Sequence, residues 1–260
     1  MQRQTRPQVL VLSGLDPSGG AGIQADIQAI TAMGAHPLPV VTCLTVQDTR
    51  NVYGAEPVSA DLIRRQLEAL REDTPIHAIK TGALGNSDIV RTLVDFLATL
   101  APTPLVVDPV IKAAGGGQLA DQRLWESMRE ALFPHADVVT PNGPELVELG
   151  GNDDEDQAAA QVLTSGCAHV LATGGHGTGD TIENRLYAAD GTHRRWELKR
   201  VGGEYHGSGC TLAAAISAGL ARGASLHEAI EAAQTYVAGA IGQALQVGQG
   251  QPVPNRGPLP

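Results

Sequence analysis

The sequence predicts an α/β fold of three layers, helices on both faces of a mostly parallel central sheet, with a short antiparallel edge. Three observations predict it. Short, continuous apolar runs rich in Val, Ile and Leu alternate with amphipathic stretches, the pattern of strands buried on both faces and joined by crossover helices. Polar and glycine-rich clusters recur where those runs finish. Residues 181–200 break the rhythm with two strand-like runs around Asp190-Gly191, a hairpin signal.

Residues 8–13 read as the first strand, which breaks into a glycine-rich turn over 14–22. A helical pattern over 23–33 stops at Gly34, and the β-branched run 39–46 is a second strand. Ser59 or Asp61 can cap a helix reaching about residue 70. A short strand at 76–80 and a helix from Ser87 to about residue 100 follow. Residues 105–107 form a buried strand ending at Asp108, then a loop runs through Gly117 into a helix over 119–132. Residues 136–140 are a strand that Pro141-Asn142 ends, 156–165 a helix with an acidic first turn, and 169–172 a strand. Two helices, 209–221 and 226–245, close the fold. Residues 1–247 are expected as a single domain, and 248–260, rich in Pro and Gly, as a weakly ordered C-terminal tail.

Aromatic residues are only 3% of the chain against 42% apolar overall, so the core must be built from Ala, Val, Leu and Ile at close approach. The formal charge of -10, with no basic block interleaved with aromatics, points away from nucleic acid as a partner. An anion such as ATP is still accommodated, because backbone N–H groups and a cation hold phosphates locally. No apolar run is long enough for a membrane span and no signal-peptide core precedes the first strand. Cys43, Cys167 and Cys210 are an odd set without metal-ligand spacing, which suggests a reducing compartment and a cytoplasmic protein.

In open parallel sheets, ligands sit beyond the carboxyl ends of the strands. Polar clusters fall there repeatedly: 16–26, Gln47-Asp48, Lys80-Thr81-Gly82, Asp108, 142–145, 173–177 and 206–211. The sharpest is His206-Gly207-Ser208-Gly209-Cys210-Thr211, which leads into an alanine-rich helix. Gly207 and Gly209 let successive N–H groups converge on an anion, although a tightly packed helix start would read the same way. The Gly-Lys-Ser/Thr of a Walker A loop is missing here, and the glycines of 14–22 do not fit Gly-x-Gly-x-x-Gly.

Several of these segments together carry a resemblance. They are Gly-Leu-Asp-Pro-Ser-Gly-Gly-Ala-Gly-Ile-Gln-Ala-Asp at 14–26, Val-Thr-Cys-Leu-Thr-Val-Gln-Asp-Thr-Arg at 41–50 and Asp108-Pro109-Val110. Thr-Pro-Asn-Gly-Pro-Glu at 140–145, Gly174-Gly175-His176 and His-Gly-Ser-Gly-Cys at 206–210 complete the set. In this order the chain resembles the hydroxymethylpyrimidine/phosphomethylpyrimidine kinases of thiamine biosynthesis, members of the ribokinase-like superfamily. The resemblance implies ATP and Mg2+ as cofactors, a small pyrimidine alcohol as substrate, and phosphorylation of that alcohol and then of its monophosphate. It also implies a homodimer, for which the edge at 181–198 offers an apolar interface.

By the same resemblance Asp26 and Gln47 bind the aminopyrimidine, in a pocket that Gly14, Gly22, Ala83 and Val110 line. Read alone, Asp26 is equally a helix-cap residue and Gln47 a loop residue. Cys210 takes the place of a catalytic base; at a helix start its thiolate should be favoured and its pKa drawn towards neutrality, though a small buried residue fits the same position. Asp108 and Glu145 are candidate magnesium ligands. Lys112, Asn142, Thr173, Gly175 and Ser208 are candidate nucleotide contacts, with Gly207 and Gly209 forming the anion hole. Two departures bear on the site: Ala83 stands where a large methionine is common and Thr173 where lysine is common, and Lys112 is the basic residue left to compensate. A pyridoxal-type vitamin kinase and a non-catalytic pyrimidine-binding protein are the alternative readings.

Overall fold

The computed structural model describes residues 5–110, 122–176 and 179–257. In chain order the elements are β1 (Gln8–Leu15), α1 (Gly22–Ala32), β2 (His36–Gln47), β3 (Val52–Pro57), α2 (Ala60–Asp73), β4 (Ala78–Thr81), α3 (Ser87–Leu97) and β5 (Leu105–Val107). They continue with α4 (Gln122–Ser127), β6 (Val138–Val139), α5 (Gly143–Gly150), α6 (Glu155–Leu163), β7 (His169–Thr173), β8 (Thr181–Ala188), β9 (His193–Lys199), α7 (Ser208–Ala221) and α8 (Leu226–Gly242). Among the described residues the strands form one sheet in the order β3-β2-β1-β4-β5-β6-β7-β8-β9. Its centre, from β2 to β7, is parallel; β3 at one margin and β8–β9 at the other run antiparallel.

β1 shows why this is a sheet covered on both sides. Leu10 and Leu12 enter one apolar cluster with Ile63, Leu67, Ile89 and Leu93 of α2 and α3. Val9 and Val11 enter the other, with Ile30 of α1 and the alanines of α7 and α8. Alternation along a strand sends successive side chains to opposite faces, so both faces must be apolar. Scarce aromatics are compensated by close approach: ten residues of α7, mostly Ala, Leu and Ile, are buried, and a helix apolar on all sides is a core helix.

The hairpin after β7 is present, and most elements lie within a few residues of the expected bounds. Two elements were not anticipated. β3 follows the turn at 48–51, where Asp48 Oδ1 accepts from the N–H groups of Arg50 and Asn51. α5 starts directly at Gly143, on a capping box between Asn142 and Glu145. Two expectations are corrected. The edge at 181–198 is not apolar: β9 exposes His193, Arg194, Arg195, Glu197 and Lys199, and the exposed large apolar side chains nearest a sheet margin are Leu44, Val46 and Tyr53 of β2 and β3. The tail is not loose: Leu245 pairs antiparallel with Val253, and Val253 and Arg256 are buried.

Gly219 of α7 faces α8 so closely that a Cβ built on it would lie 2.8 Å from Ala229 Cβ. Gly219→Val should therefore destabilise the protein by about 1–3 kcal/mol through overpacking, despite the better helix propensity of valine over glycine. A fall in the urea midpoint at constant m-value measures it.

Candidate active site

Two glycine turns meet at the carboxyl end of the central strands. The first follows β1 and is wound around Asp16: Oδ1 accepts from Ser18 N (2.8 Å) and Ser18 Oγ (2.7 Å), and Oδ2 accepts from Ala21 N at 2.8 Å. Gly22 has φ +58°, and a Cβ on it would lie 2.2 Å from the Gly14 carbonyl, so only glycine closes this turn. The second turn ends at Gly207, with φ +81°, where a Cβ would meet Gly20 O at 2.0 Å. The two turns therefore touch backbone to backbone.

Helix capping marks this place. α2, α3, α5, α6 and α8 each begin on a side chain that accepts from the first turn: Ser59, Asn86, Asn142, Asp154 and Ser225. The helices that follow the two glycine turns, α1 and α7, have no side-chain cap and no acid in the first turn. Their starting N–H groups and the positive ends of their dipoles are thus left for an anion. Gly209 is exposed, and a Cβ there would meet nothing within 4 Å, so there is open space before α7.

Gln47 reaches this site from the end of β2. His206 Nε2 lies 2.7 Å from Asp16 Oδ2 and 3.1 Å from the Gln47 amide. Facing a carboxylate, Nε2 carries the proton. Thr45 Oγ1 spends its own proton on Leu15 O at 2.8 Å and sits 3.1 Å from the other end of the amide. With its oxygen turned to His206, Gln47 shares the Nε2 proton with Asp16 as the longer of two acceptors, and its nitrogen can donate to Thr45 Oγ1. Burial tends to raise the Asp16 carboxyl, but the hydrogen bonds from His206 and Ser18 outweigh it and hold the group below the usual carboxylate range.

Beneath the turns lies a buried charge cluster. Lys80 of β4 is fully buried, its Nζ 2.9 Å from Asp26 Oδ1 and 3.6 Å from Asp108 Oδ2. The contacts are ionic rather than well aligned: Lys80 Nζ, both Asp26 oxygens, Asp108 Oδ2, Ser13 Oγ and Thr81 Oγ1 have no hydrogen-bond partner among the described residues. Burial would lower the Lys80 ammonium, but Asp26, Cys210 and Asp108 raise it well above the ordinary lysine value. One cation cannot satisfy two carboxylates, and burial leaves Asp26 raised despite Lys80. Cys210 belongs to the same cluster, and here an expectation is overturned. Burial and the Asp108 and Asp26 carboxylates drive its thiol well above the ordinary value, Lys80 opposing only in part. The helix start does not draw it towards neutrality.

On the far side of the sheet centre, Asn142 Oδ1 accepts from Glu145 N and Glu145 Oε2 accepts from Asn142 N, both at 2.9 Å. Glu145 is thus a first-turn acid in a capping box as well as a candidate ligand. Asn142 bridges to Thr173, which brings the nucleotide candidates of 142–145 and 173–175 together. Arg200 grips the turn after β7, donating to Gly175 O at 2.7 Å and Gly179 O at 2.8 Å. Val110 N donates to Asp108 O at 2.9 Å, Ala83 O accepts from Thr42 Oγ1 at 2.5 Å, and Ser208 Oγ donates to Tyr205 O at 3.4 Å. Lys112 lies outside the described residues. Among those described, no three His, Cys, Asp or Glu side chains gather as a metal cage. A separate surface cleft of about 340 Å3, lined by Arg129, Glu130, Gln161, Thr164 and Ser165, shares no residue with this site.

Three contributors had no specific role assigned from sequence. Lys80, which lies in a marked polar cluster, carried a signal, since a lysine inside a strand buried on both faces must be paired. Asp16 and His206 also lie in marked clusters, but nothing indicated their pairing across 190 residues, and Arg256 in the tail carried no signal. Arg256 Nε donates to Thr211 Oγ1 at 2.7 Å and Nη2 to Gly20 O at 2.5 Å; burial pulls its guanidinium below the ordinary arginine value.

The Asp16 network makes a pH-dependent prediction. A carboxyl whose pKa is depressed on folding stabilises above its unfolded value and loses that contribution as pH falls through its folded value. Asp16→Asn should cost about 1.5–3 kcal/mol at pH 7, and the gap to the parent should narrow below about pH 4, near the unfolded aspartate pKa. Denaturant midpoints across that range measure it.

The family model described as phosphomethylpyrimidine kinase matches residues 16–255. The chain is 39% identical to the hydroxymethylpyrimidine/phosphomethylpyrimidine kinase of Streptomyces coelicolor, over 95% of this chain and 93% of that protein. It is 37% identical to the protein of the same name from Haemophilus influenzae, over 94% of each. Among solved structures, pyridoxal kinase of Bacillus subtilis in complex with ADP superposes with a TM-score of 0.87 at 30% identity, covering 97% of this chain and 98% of that one. Phosphomethylpyrimidine kinase of Clostridium difficile superposes with a TM-score of 0.77 at 33% identity, over 90% and 99%. The fold is the ribokinase-like α/β/α sandwich, and the chain is a nucleotide-dependent kinase acting on a small molecule of the pyrimidine or vitamin type. The chain belongs to the phosphomethylpyrimidine kinase family.

Proposed function

We propose that the chain transfers the γ-phosphoryl group of ATP to the hydroxymethyl oxygen of 4-amino-5-hydroxymethyl-2-methylpyrimidine, and then a second phosphoryl group to the monophosphate, for thiamine biosynthesis. The observation that carries this reading is the pair of uncapped helix starts of α1 and α7, set beside an amide whose neighbours orient it. Gln47, held by His206 and Thr45, keeps one N–H and one lone pair for a ring nitrogen and an exocyclic amine. Asp26, buried beneath the turns against Lys80, is the carboxylate this reading assigns to the substrate amine. The N–H groups at Gly207 and Gly209 face the charge that builds up on the transferred group.

In the transfer, the alcohol oxygen forms a bond to the γ-phosphorus, the bond to the β–γ bridging oxygen breaks, and the alcohol proton goes to Cys210 Sγ. That role needs a deprotonated thiol, which burial and the carboxylates of the cluster oppose and Lys80 favours. Magnesium fits the donor set: Asp108 Oδ2 is a buried carboxylate oxygen with no hydrogen-bond donor among the described residues, and hard oxygen ligands suit it. Asp108 and Glu145 would hold the ion, which when bound offsets the charge of the phosphates. Asn142, Thr173, Gly175, Ser208 and Lys112 would face the nucleotide.

A pyridoxal-type activity is the second reading, favoured by the closer superposition on pyridoxal kinase than on phosphomethylpyrimidine kinase and by the small Ala83 side chain, which leaves room for a larger ring. ATP consumption with hydroxymethylpyrimidine, its monophosphate and pyridoxal decides between them. Turnover of both pyrimidines is the expected result, and turnover of pyridoxal alone would reject the proposal. Cys210→Ala should lower kcat roughly 100- to 10,000-fold, the range of a lost general base, while the ATP KM changes little. Unchanged kcat would remove Cys210 from the proton transfer.

A further inference from the structure

We infer that Arg256, in the C-terminal segment, is a positioning residue that holds the two glycine turns together and thereby aims the anion-binding N–H groups at the transferred phosphoryl group. The inference rests on the kinase reading for its activity test but not for its structural one.

The guanidinium is buried, with 3% of the residue exposed, and it sits where the turns touch. Nη2 donates to Gly20 O at 2.5 Å and to Gly207 O at 3.3 Å. Nε donates to Thr211 Oγ1 at 2.7 Å, and that hydroxyl donates in turn to Gly207 O at 2.7 Å. Nη1 lies 3.5 Å from Gly19 O and from Gln28 Oε1. Both carbonyl oxygens face the same guanidinium nitrogen, and a planar fork of donors can engage several acceptors at once.

Holding those carbonyls fixes more than the carbonyls. In a trans peptide the C=O of one residue and the N–H of the next point in opposite directions. With Gly20 O turned to Arg256, Ala21 N–H points at Asp16 Oδ2, which it meets at 2.8 Å. Asp16 in turn meets His206, and His206 meets Gln47. With Gly207 O turned to Arg256, Ser208 N–H is aimed the other way, out of the start of α7. Gly207 O also accepts from Thr211 N at 3.0 Å in the first turn of α7, and Arg256 joins that carbonyl to Gly20 O, so one side chain braces the substrate-side network against the anion hole.

The segment that carries Arg256 is built to deliver it. Gly250 N and Gln251 N donate to Thr49 Oγ1 and Thr49 O, each at 2.9 Å. His206 N donates to Pro252 O at 3.0 Å, and Asn255 N to Ala240 O at 2.9 Å. Tyr236 Oη donates to Arg256 O at 3.1 Å. The chain thus passes the turn beside Gln47, then His206, before placing the guanidinium under both glycines.

The test compares Arg256→Ala, Arg256→Lys and Arg256→Gln in the full chain by thermal melting, amide hydrogen exchange, and kinetics with ATP and each of hydroxymethylpyrimidine and pyridoxal. At least one variant is expected to melt cooperatively and to show about tenfold faster exchange across 19–22 and 207–211, with other core amides unchanged. In Arg256→Ala, kcat should fall about 100-fold, the scale of an ångström-level misplacement, with KM for the alcohol changed less than about threefold. Guanidinium at about 20 mM, far below the molar range that unfolds proteins, should restore part of kcat, and equal sodium chloride should not. Unchanged exchange in a folded variant, wild-type kcat in Arg256→Gln, or failure of all three variants to fold would each overturn the inference. Inactivity of the parent chain on both alcohols would reject the functional reading instead, and the exchange data would still decide the role of Arg256.

Discussion

The site depends on a single buried ammonium group. Lys80 stands in the short central strand β4, whose four residues are all buried, and its Nζ reaches Asp26 of α1 and Asp108 at the end of β5. A buried cation is tolerable only when paired, so wherever Lys80 goes the two carboxylates must follow. The ion cluster thereby pins the first helix and the fifth strand to the centre of the sheet. Burial is the main reason that Cys210 and Asp26 both hold their protons more strongly than the free groups would, and the Asp108 carboxylate adds to it while Lys80 opposes it in part. An enzyme that binds a polyanion with its counter-cation gains from such a site: the acid oxygens are preorganised for a cation, while the backbone N–H groups of α1 and α7 are preorganised for phosphate.

Close backbone approach is the second constraint, and it follows from composition. A core with almost no aromatic residues is packed through alanine and glycine, as where Gly219 meets Ala229 and Gly207 meets Gly20. Contacts of this kind bring helix starts and turns nearer than larger side chains would allow. They set the two glycine turns backbone to backbone, where the buried guanidinium of Arg256 donates to a carbonyl oxygen of each. Helices α2, α3, α5, α6 and α8 are capped by side chains, whereas α1 and α7 are not.

Substrate choice is set by smaller differences. Phosphomethylpyrimidine and pyridoxal kinases share this fold, and their substrates share a heteroaromatic ring with a hydroxymethyl group. The distinction must then come from the hydrogen-bond pattern at the ring edge and from the width of the pocket. In the function proposed above, Gln47 would address the first through an amide placed between His206 and Thr45. Ala83, its carbonyl held by Thr42, would address the second through a small side chain beside Gly14.

By itself the sequence determined the layered α/β architecture, the antiparallel hairpin after the seventh strand, and the rim on which the polar clusters gather. Those properties follow from local periodicity and turn chemistry, which residues close in the chain express on their own. It also determined the family, because ordered motifs from Gly14 to Cys210 survive without any knowledge of contacts. The helix over 143–150 and the strand over 52–57 were less legible, since both begin within a few residues of a preceding strand and lack a long periodic run. Only the tertiary structure decided that Lys80 joins Asp26 to Asp108, that His206 links Asp16 to Gln47, that the Cys210 thiol is pushed up rather than down, and that a Pro- and Gly-rich tail carries a buried arginine. The physical reason is common to all four: each depends on which charges and dipoles become neighbours across the sheet and in what degree of burial, and electrostatic energies in a folded interior are set by those distances, not by the order of residues along the chain.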